Sequence, residues 1–265
     1  MPTGRRTLLA GLAALAALTG LAALAALACA APAPAATAPR RELVVAAAMS
    51  LKEAMHAIEA DYEARHPEID LVLDLAGSNA LAAQILAGAR VDLFIAADEA
   101  QMARVVDGGL AEPPATLAHG RLVVIAHPTA SVHAVADLTR PGLRLVLAGA
   151  AVPAGAYARQ ALDALGLHAA LRNLVSDEDN VRGVLAKVVA GEADAGIVYA
   201  TDARSAAPGA LRVVDLPPEA AAIRPRYELA VLRGGDHPKD ARDLAAALLG
   251  PELQAHLRAR GFEAP

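Results

Sequence analysis

Short apolar runs and helically spaced apolar positions take turns along residues 43–98. Residues 44–47 are uniformly apolar, 51–65 show helical spacing, 71–75 are strand-like, 81–87 return to helical spacing, and 92–96 are apolar again. That order, strand, helix, strand, helix, strand, predicts an α/β unit built on parallel strands. The punctuation agrees, with Pro67 closing the first helical stretch, Gly88 the second, and Gly108 and Gly109 a third over 101–106.

Pro113 and Pro114 open a turn, and the β-branched run 122–126 stops at Pro128, where the chain is expected to cross into a second lobe. A second α/β unit follows: a strand at 143–147, a helix at 156–165, an irregular segment or short strand at 171–175, a helix at 181–190 and a buried strand at 195–199. Strands at 211–216 and 227–232 precede a helical tail over 239–260, whose Leu244, Leu248, Leu249, Leu253 and Leu257 fall on or near one face. This tail is expected to return to the first lobe. No fixed-period repeat interrupts the pattern.

The first 39 residues read differently. Arg5 and Arg6 precede a Leu/Ala run over 8–28, followed by Ala/Pro-rich sequence, the pattern of an export signal. The twin arginines match the twin-arginine route only loosely, so the general secretory route stands equally open. Cys29 closes the run as in a bacterial lipoprotein signal but lacks a leucine three positions before it. Small residues around it suit a signal peptidase, and the run is long enough for an uncleaved anchor. The expected product is a periplasmic or cell-surface protein.

Cys29 is the only cysteine of the 265 residues, so neither an intramolecular disulfide nor a cysteine nucleophile is available to the exported part. With two arginines and no acids in the leader, the whole-chain net charge of −5 becomes −7 on residues 40–265. An acidic chain with 2% aromatic residues offers neither a basic stripe nor a stacking platform, which argues against a nucleic-acid partner. About 225 residues remain after the leader, more than one core commonly organises, and two lobes are expected.

Candidate chemistry sits where strands hand over to helices. Ser50 stands at an expected N-cap after the first strand, and Ser78 at the next helix start. A helix start presents free N–H groups and partial positive charge, and a serine hydroxyl adds a donor, so two such junctions can share an anion without a cationic side chain. The competing reading is structural, since serine is a preferred N-cap. In the second unit, Ala154 and Gly155, then Val181 after Asp179 and Asn180, stand where backbone N–H groups lack intrahelical partners. Tyr199 ends the apolar run 195–198, placing its hydroxyl at the sheet rim where α/β proteins bind ligands, with core packing as the alternative. Asp179 and Asn180 read equally as caps, and Arg182 as a surface residue or partner of an acid in its own helix. The eight histidines include no pair three or four apart for a helical metal site, no Gly-x-Ser-x-Gly elbow occurs, and Asp92 and Asp98 read as structural acids flanking a strand. An enzyme is not expected.

Taken in order, AAAMSLKEAM (46–55), GSNALAAQILAG (77–88), DLFIAAD (92–98), VPAGAY (152–157), NVRG (180–183) and AGIVYATD (195–202) resemble the substrate-binding protein of the molybdate ABC transporter, over nearly all of residues 42–265. The resemblance implies an α/β, two-lobed type II periplasmic binding protein fold with a ligand cleft between lobes. It implies lobe one at 42–121 plus 219–265 and lobe two at 122–218. It further implies molybdate or tungstate held by Ser50, Ser78, Ala154, Val181 and Tyr199, without a direct metal ligand or cofactor, and delivery by a monomer to a permease with a cytoplasmic ATPase. Sulfate, phosphate or a small organic acid is the alternative ligand. Met49, where the family usually has a small residue, and Asn79, in place of a frequent serine, depart from the pattern.

Overall fold

The computed structural model describes residues 39–265, and residues 40–265 form one compact unit. The expected export signal and Cys29 lie outside the described residues.

Two five-stranded sheets organise this unit. In the first, β1 (Arg41–Ala48) lies parallel between β2 (Ile69–Ala76) and β3 (Leu93–Ala96), and β10 (Arg226–Val231) enters antiparallel between β3 and β4 (Ala115–His119). The second repeats the plan: β6 (Leu145–Ala148) lies parallel between β7 (Leu174–Glu178) and β8 (Ala195–Tyr199). There β5 (Leu122–Ala126) enters antiparallel between β8 and β9 (Arg212–Asp215). Each sheet is therefore mixed rather than wholly parallel, because the antiparallel strand of each follows a segment that comes from the other sheet.

Burial explains the composition of the strands. Every residue of β3, β5, β6 and β8 is buried, and these are the uninterrupted apolar runs of the sequence. The half-exposed β2 and β9 alternate. The helices α1 (Lys52–Arg65), α2 (Ser78–Leu86), α3 (Glu99–Asp107), α4 (Pro153–Ala164) and α5 (Val181–Val189) follow the parallel strands. After β8 comes the one-turn α6 (Ala200–Arg204), and after β9 the short α7 (Pro218–Ala221). Among the described residues no helix is long and apolar enough to cross a membrane.

Several elements differ from the sequence expectation. The single helical tail is two helices, α8 (Pro238–Leu249) and α9 (Pro251–Ala259), because Gly250 is extended (φ −76°, ψ 158°) ahead of a proline that has no N–H to continue the ladder. The segment at 171–175, expected to be irregular or a short strand, is the end of a 3-10 turn over His168–Asn173 and the start of β7 at Leu174. The edge strand β4 follows the double proline without an apolar alternation to announce it. Helices α2 and α4 begin three residues earlier than their apolar spacing suggests, at Ser78 and Pro153, so Ser78 and Ala154 belong to the helices' first turns.

Candidate functional site

The ends of three parallel strands in each sheet face one another. Ser50 follows β1, Ser78 follows β2 and Ala97 follows β3; opposite them, Ala154 follows β6, Val181 follows β7 and Tyr199 ends β8. Together with Ala48, Met49, Gly77, Val152, Pro153 and Asn180, these residues line a single narrow cleft of about 10 Å³. That is room for about one water-sized sphere, far below the range of pockets for drug-sized molecules. Ser50, Ser78, Ala154, Val181 and Tyr199 all meet here, and among the described residues no charged side chain lines the cleft.

Neither serine caps a helix. Ser50 lies within a 3-10 turn (Met49–Leu51) ahead of α1, whose N-cap is Leu51, and Ser78 is the first residue of α2, whose N-cap is Gly77. The expected N-cap role of Ser50 is therefore corrected: the extra 3-10 turn moves the helix start past it. Both are buried, at 4% and 1% exposure, with their hydroxyls engaged elsewhere. The Ala97 N–H donates to Ser78 Oγ at 3.0 Å, so the proton of Ser78 remains to be given away. Ser50 Oγ lies 3.0 Å from the hydroxyl of Tyr227, a residue 177 positions along the chain. If Tyr227 donates, Ser50 is likewise set as a donor into the cleft.

Lobe two supplies donors differently. Asn180 is the true cap of α5, its side-chain oxygen accepting from the N–H groups of Arg182 (2.9 Å) and Gly183 (3.2 Å), which leaves the Val181 N–H ahead of them. Pro153 opens α4, so Ala154 carries that helix's first N–H. The start of α4 sits tightly on the end of β6, where a Cβ at Gly155 would lie 2.1 Å from the Gly149 carbonyl oxygen and 2.2 Å from that of Ala148. Tyr199 belongs to the core and also lines the cleft. Its ring packs edge-on to Tyr227 within the core, with centroids 5.8 Å apart, and its buried hydroxyl has no partner among the described residues. Burial raises the hydroxyl pKa of Tyr199 and Tyr227 well above the ordinary value, keeping both protonated as donors.

Acidic and basic groups surround the cleft without entering it. Asp98 caps α3 by accepting from the Gln101 N–H at 3.0 Å, and Asp92 holds the backbone N–H groups of Val44 and His237, so both flanking acids are structural. Arg182 is neither a surface residue nor paired within its own helix: it reaches across to Glu53 on α1, donates to Ser205 Oγ at 2.7 Å and lies 2.7 Å from Asp202 Oδ1. Burial pushes the fully enclosed Asp202 carboxyl up to about 7, against the pull of Arg182. On another part of the rim, Gln101 Nε2 donates to the Ala151 carbonyl at 3.4 Å, and a Cβ on Gly77 would lie 2.7 Å from the Asp179 carbonyl oxygen. The lobes are thus in direct contact at several points. Tyr227, Glu53 and Asp202 were absent from the sequence reading; only Asp202, an acid ending a buried apolar run, left a local trace.

A binding cleft of neutral donors at opposed strand ends is the arrangement of a solute-binding protein, and the sequence profile of bacterial extracellular solute-binding proteins matches residues 43–263. The chain belongs to that family. Its members bind solutes rather than transform them. The molybdate-binding protein ModA of Mycobacterium tuberculosis is 39% identical over 229 residues, covering 85% of each chain. Among solved structures, the substrate-binding domain of a molybdenum ABC transporter protein from Clostridium difficile is 31% identical, with a TM-score of 0.65 over 84% of this chain and 99% of its own. The periplasmic molybdate-binding protein of Azotobacter vinelandii superposes with a TM-score of 0.74 at 22% identity over the same shares, which extends the likeness of the two-lobed fold. Among the described residues no group of three or more His, Cys, Asp or Glu side chains is placed to hold a bare metal ion.

Proposed function

We propose that this solute-binding protein takes molybdate, and tungstate with it, between its lobes and delivers the anion to an ABC permease driven by a cytoplasmic ATPase. One observation carries this reading: two buried serines stand beside helix starts, yet neither hydroxyl caps its helix, and both line a cleft that contains no charged side chain. Ser50 and Ser78 from lobe one, the N–H groups of Ala154 and Val181 and the hydroxyl of Tyr199 from lobe two then surround the four oxygens of a dianion. Lobe one comprises residues 42–121 and 219–265, lobe two residues 122–218, and the protein acts as a monomer outside the cytoplasm, with Cys29 as a candidate lipid anchor. The 39% identity to a molybdate-binding protein supports the choice of anion.

A dianion buried among donors alone accepts hydrogen bonds at every oxygen. Hydrogen phosphate must also give one, and the lining residues include no carboxylate to take it. Melting temperatures of the purified protein with molybdate, tungstate, sulfate and phosphate at equal ionic strength test the reading, since a ligand of the native state raises the melting point. A rise with molybdate and tungstate alone is expected. A larger rise with sulfate or phosphate would reassign the ligand.

A further inference from the structure

A second and larger cavity, of about 480 Å³, adjoins the cleft at Ser50, which lines both. Its wall is of a different kind. Glu53, Thr201, Arg204, Ser205 and Arg260 contribute to it, drawn from both lobes. The one acid, Glu53, is already ion-paired with Arg182. Arg260 gives a hydrogen bond to the His256 carbonyl, which leaves its charge uncompensated, and among the described residues neither Arg204 nor Arg260 has a carboxylate partner within ion-pair distance. Thr201, 8% exposed, has an Oγ1 with no hydrogen-bond partner among the described residues. Two uncompensated guanidinium groups and an unused buried hydroxyl beside the cleft are suited to an anion.

The need for such a feature follows from charge. Residues 40–265 carry a net −7, so a dianion approaching from solution is repelled on average, and the neutral donors of the cleft exert little pull beyond contact. A local pair of positive charges reverses the field over roughly a Debye length of 8 to 10 Å, far enough to gather ions beside the cleft. We propose that this side cavity is a low-affinity anion site from which divalent oxyanions load the cleft, with Arg204 and Arg260 setting the rate of capture rather than its selectivity.

The inference rests on the molybdate reading, and the test separates the two. Stopped-flow mixing of the purified protein with molybdate, followed by tyrosine fluorescence, gives association and dissociation rates. In the Arg204→Gln/Arg260→Gln variant, association is expected to slow about 5- to 10-fold at low salt, with a shallower dependence on sodium chloride and an unchanged dissociation rate. Arg204→Lys/Arg260→Lys retains the charge and should retain the rate, which separates steering from any packing role of the side chains. Equal association rates in wild type and the glutamine variant, or a change confined to dissociation, would overturn the vestibule while leaving the cleft assignment standing. Wild-type protein that binds no molybdate would overturn both.

Discussion

The two sheets share one strand order and differ in what their strand ends offer. The first presents side-chain hydroxyls, Ser50 and Ser78, each already hydrogen-bonded to a group within its own lobe. The second presents backbone N–H groups at Ala154 and Val181, plus the hydroxyl of Tyr199. A hydroxyl can be removed without disturbing the backbone that carries it. A backbone donor cannot, so on the proposed reading binding and folding in the second lobe would be tied together through the packing of helix starts on strand ends.

Gly155→Ala strikes that tie most directly. A Cβ within 2.2 Å of two carbonyl oxygens forces the start of α4 off β6, and a loss of about 1–3 kcal/mol in urea unfolding is expected together with loss of molybdate binding. Should the variant unfold like wild type yet bind nothing, the tie between folding and binding would be broken. Ser50→Ala and Ser78→Ala probe the opposite case. Hydrogen bonds to a charged ligand contribute about 1.5–3 kcal/mol, so calorimetric affinity should fall roughly 10- to 100-fold. The chain stays folded at a cost of about 1–3 kcal/mol in urea unfolding, from the Tyr227 hydroxyl or the Ala97 N–H that loses its partner. Unchanged affinity in both would remove the serines from the site.

Tyr199→Phe is a milder test, because the hydroxyl has no protein partner to lose. Affinity should drop by roughly 3- to 10-fold with stability unaltered, and a change in stability alone would assign the residue to packing. Glu53→Gln weakens the link between lobes through Arg182. The pair is partly exposed, with 42% of the Glu53 side chain accessible, so less than about 1 kcal/mol is at stake, and a small increase in ligand dissociation rate is expected.

A separate test concerns pH. The Asp202 carboxyl, raised by burial to about 7, keeps a proton in the folded state that the unfolded chain releases near the ordinary value of 3.8. Its contribution to stability therefore falls as pH rises from about 4 and levels off above about 7. Asp202→Asn should flatten that part of a urea-midpoint profile, and a slope unaltered by the substitution would place the titration elsewhere.

Much of this molecule was legible from periodicity. The buried strands announced themselves as apolar runs, and the strand-to-helix junctions bearing Ser50, Ser78, Ala154, Val181 and Tyr199 were marked by a change of period. The hidden parts depend on contacts between distant segments. Nothing near Tyr227 indicates that its hydroxyl will meet Ser50, since that meeting requires β10 to return to the first sheet after the chain has built the second. Arg182 was misread for the same reason: its partners lie on α1 and α6, and a helical wheel shows only neighbours within one helix. The break at Gly250 and Pro251 was local and visible, but the leucines continuing on one face across it favoured a single helix.

The peptide segments that cross between the sheets lie side by side, with the Gly120 N–H donating to the Pro225 carbonyl at 2.8 Å and β5 and β10 running into the interior of their sheets rather than along an edge. Joined in this way, they form a single two-stranded link, and any relative rotation of the lobes would concentrate in a few backbone torsions there. The strength with which the protein retains its cargo then has two independent controls. Donor geometry bears on which ion fits, whereas the stiffness of this link bears on how readily the lobes part. Substitutions in these two short stretches would then alter release while the chemistry of recognition remained the same, provided that they spare the contact of Gly120 with Tyr227, whose hydroxyl meets Ser50.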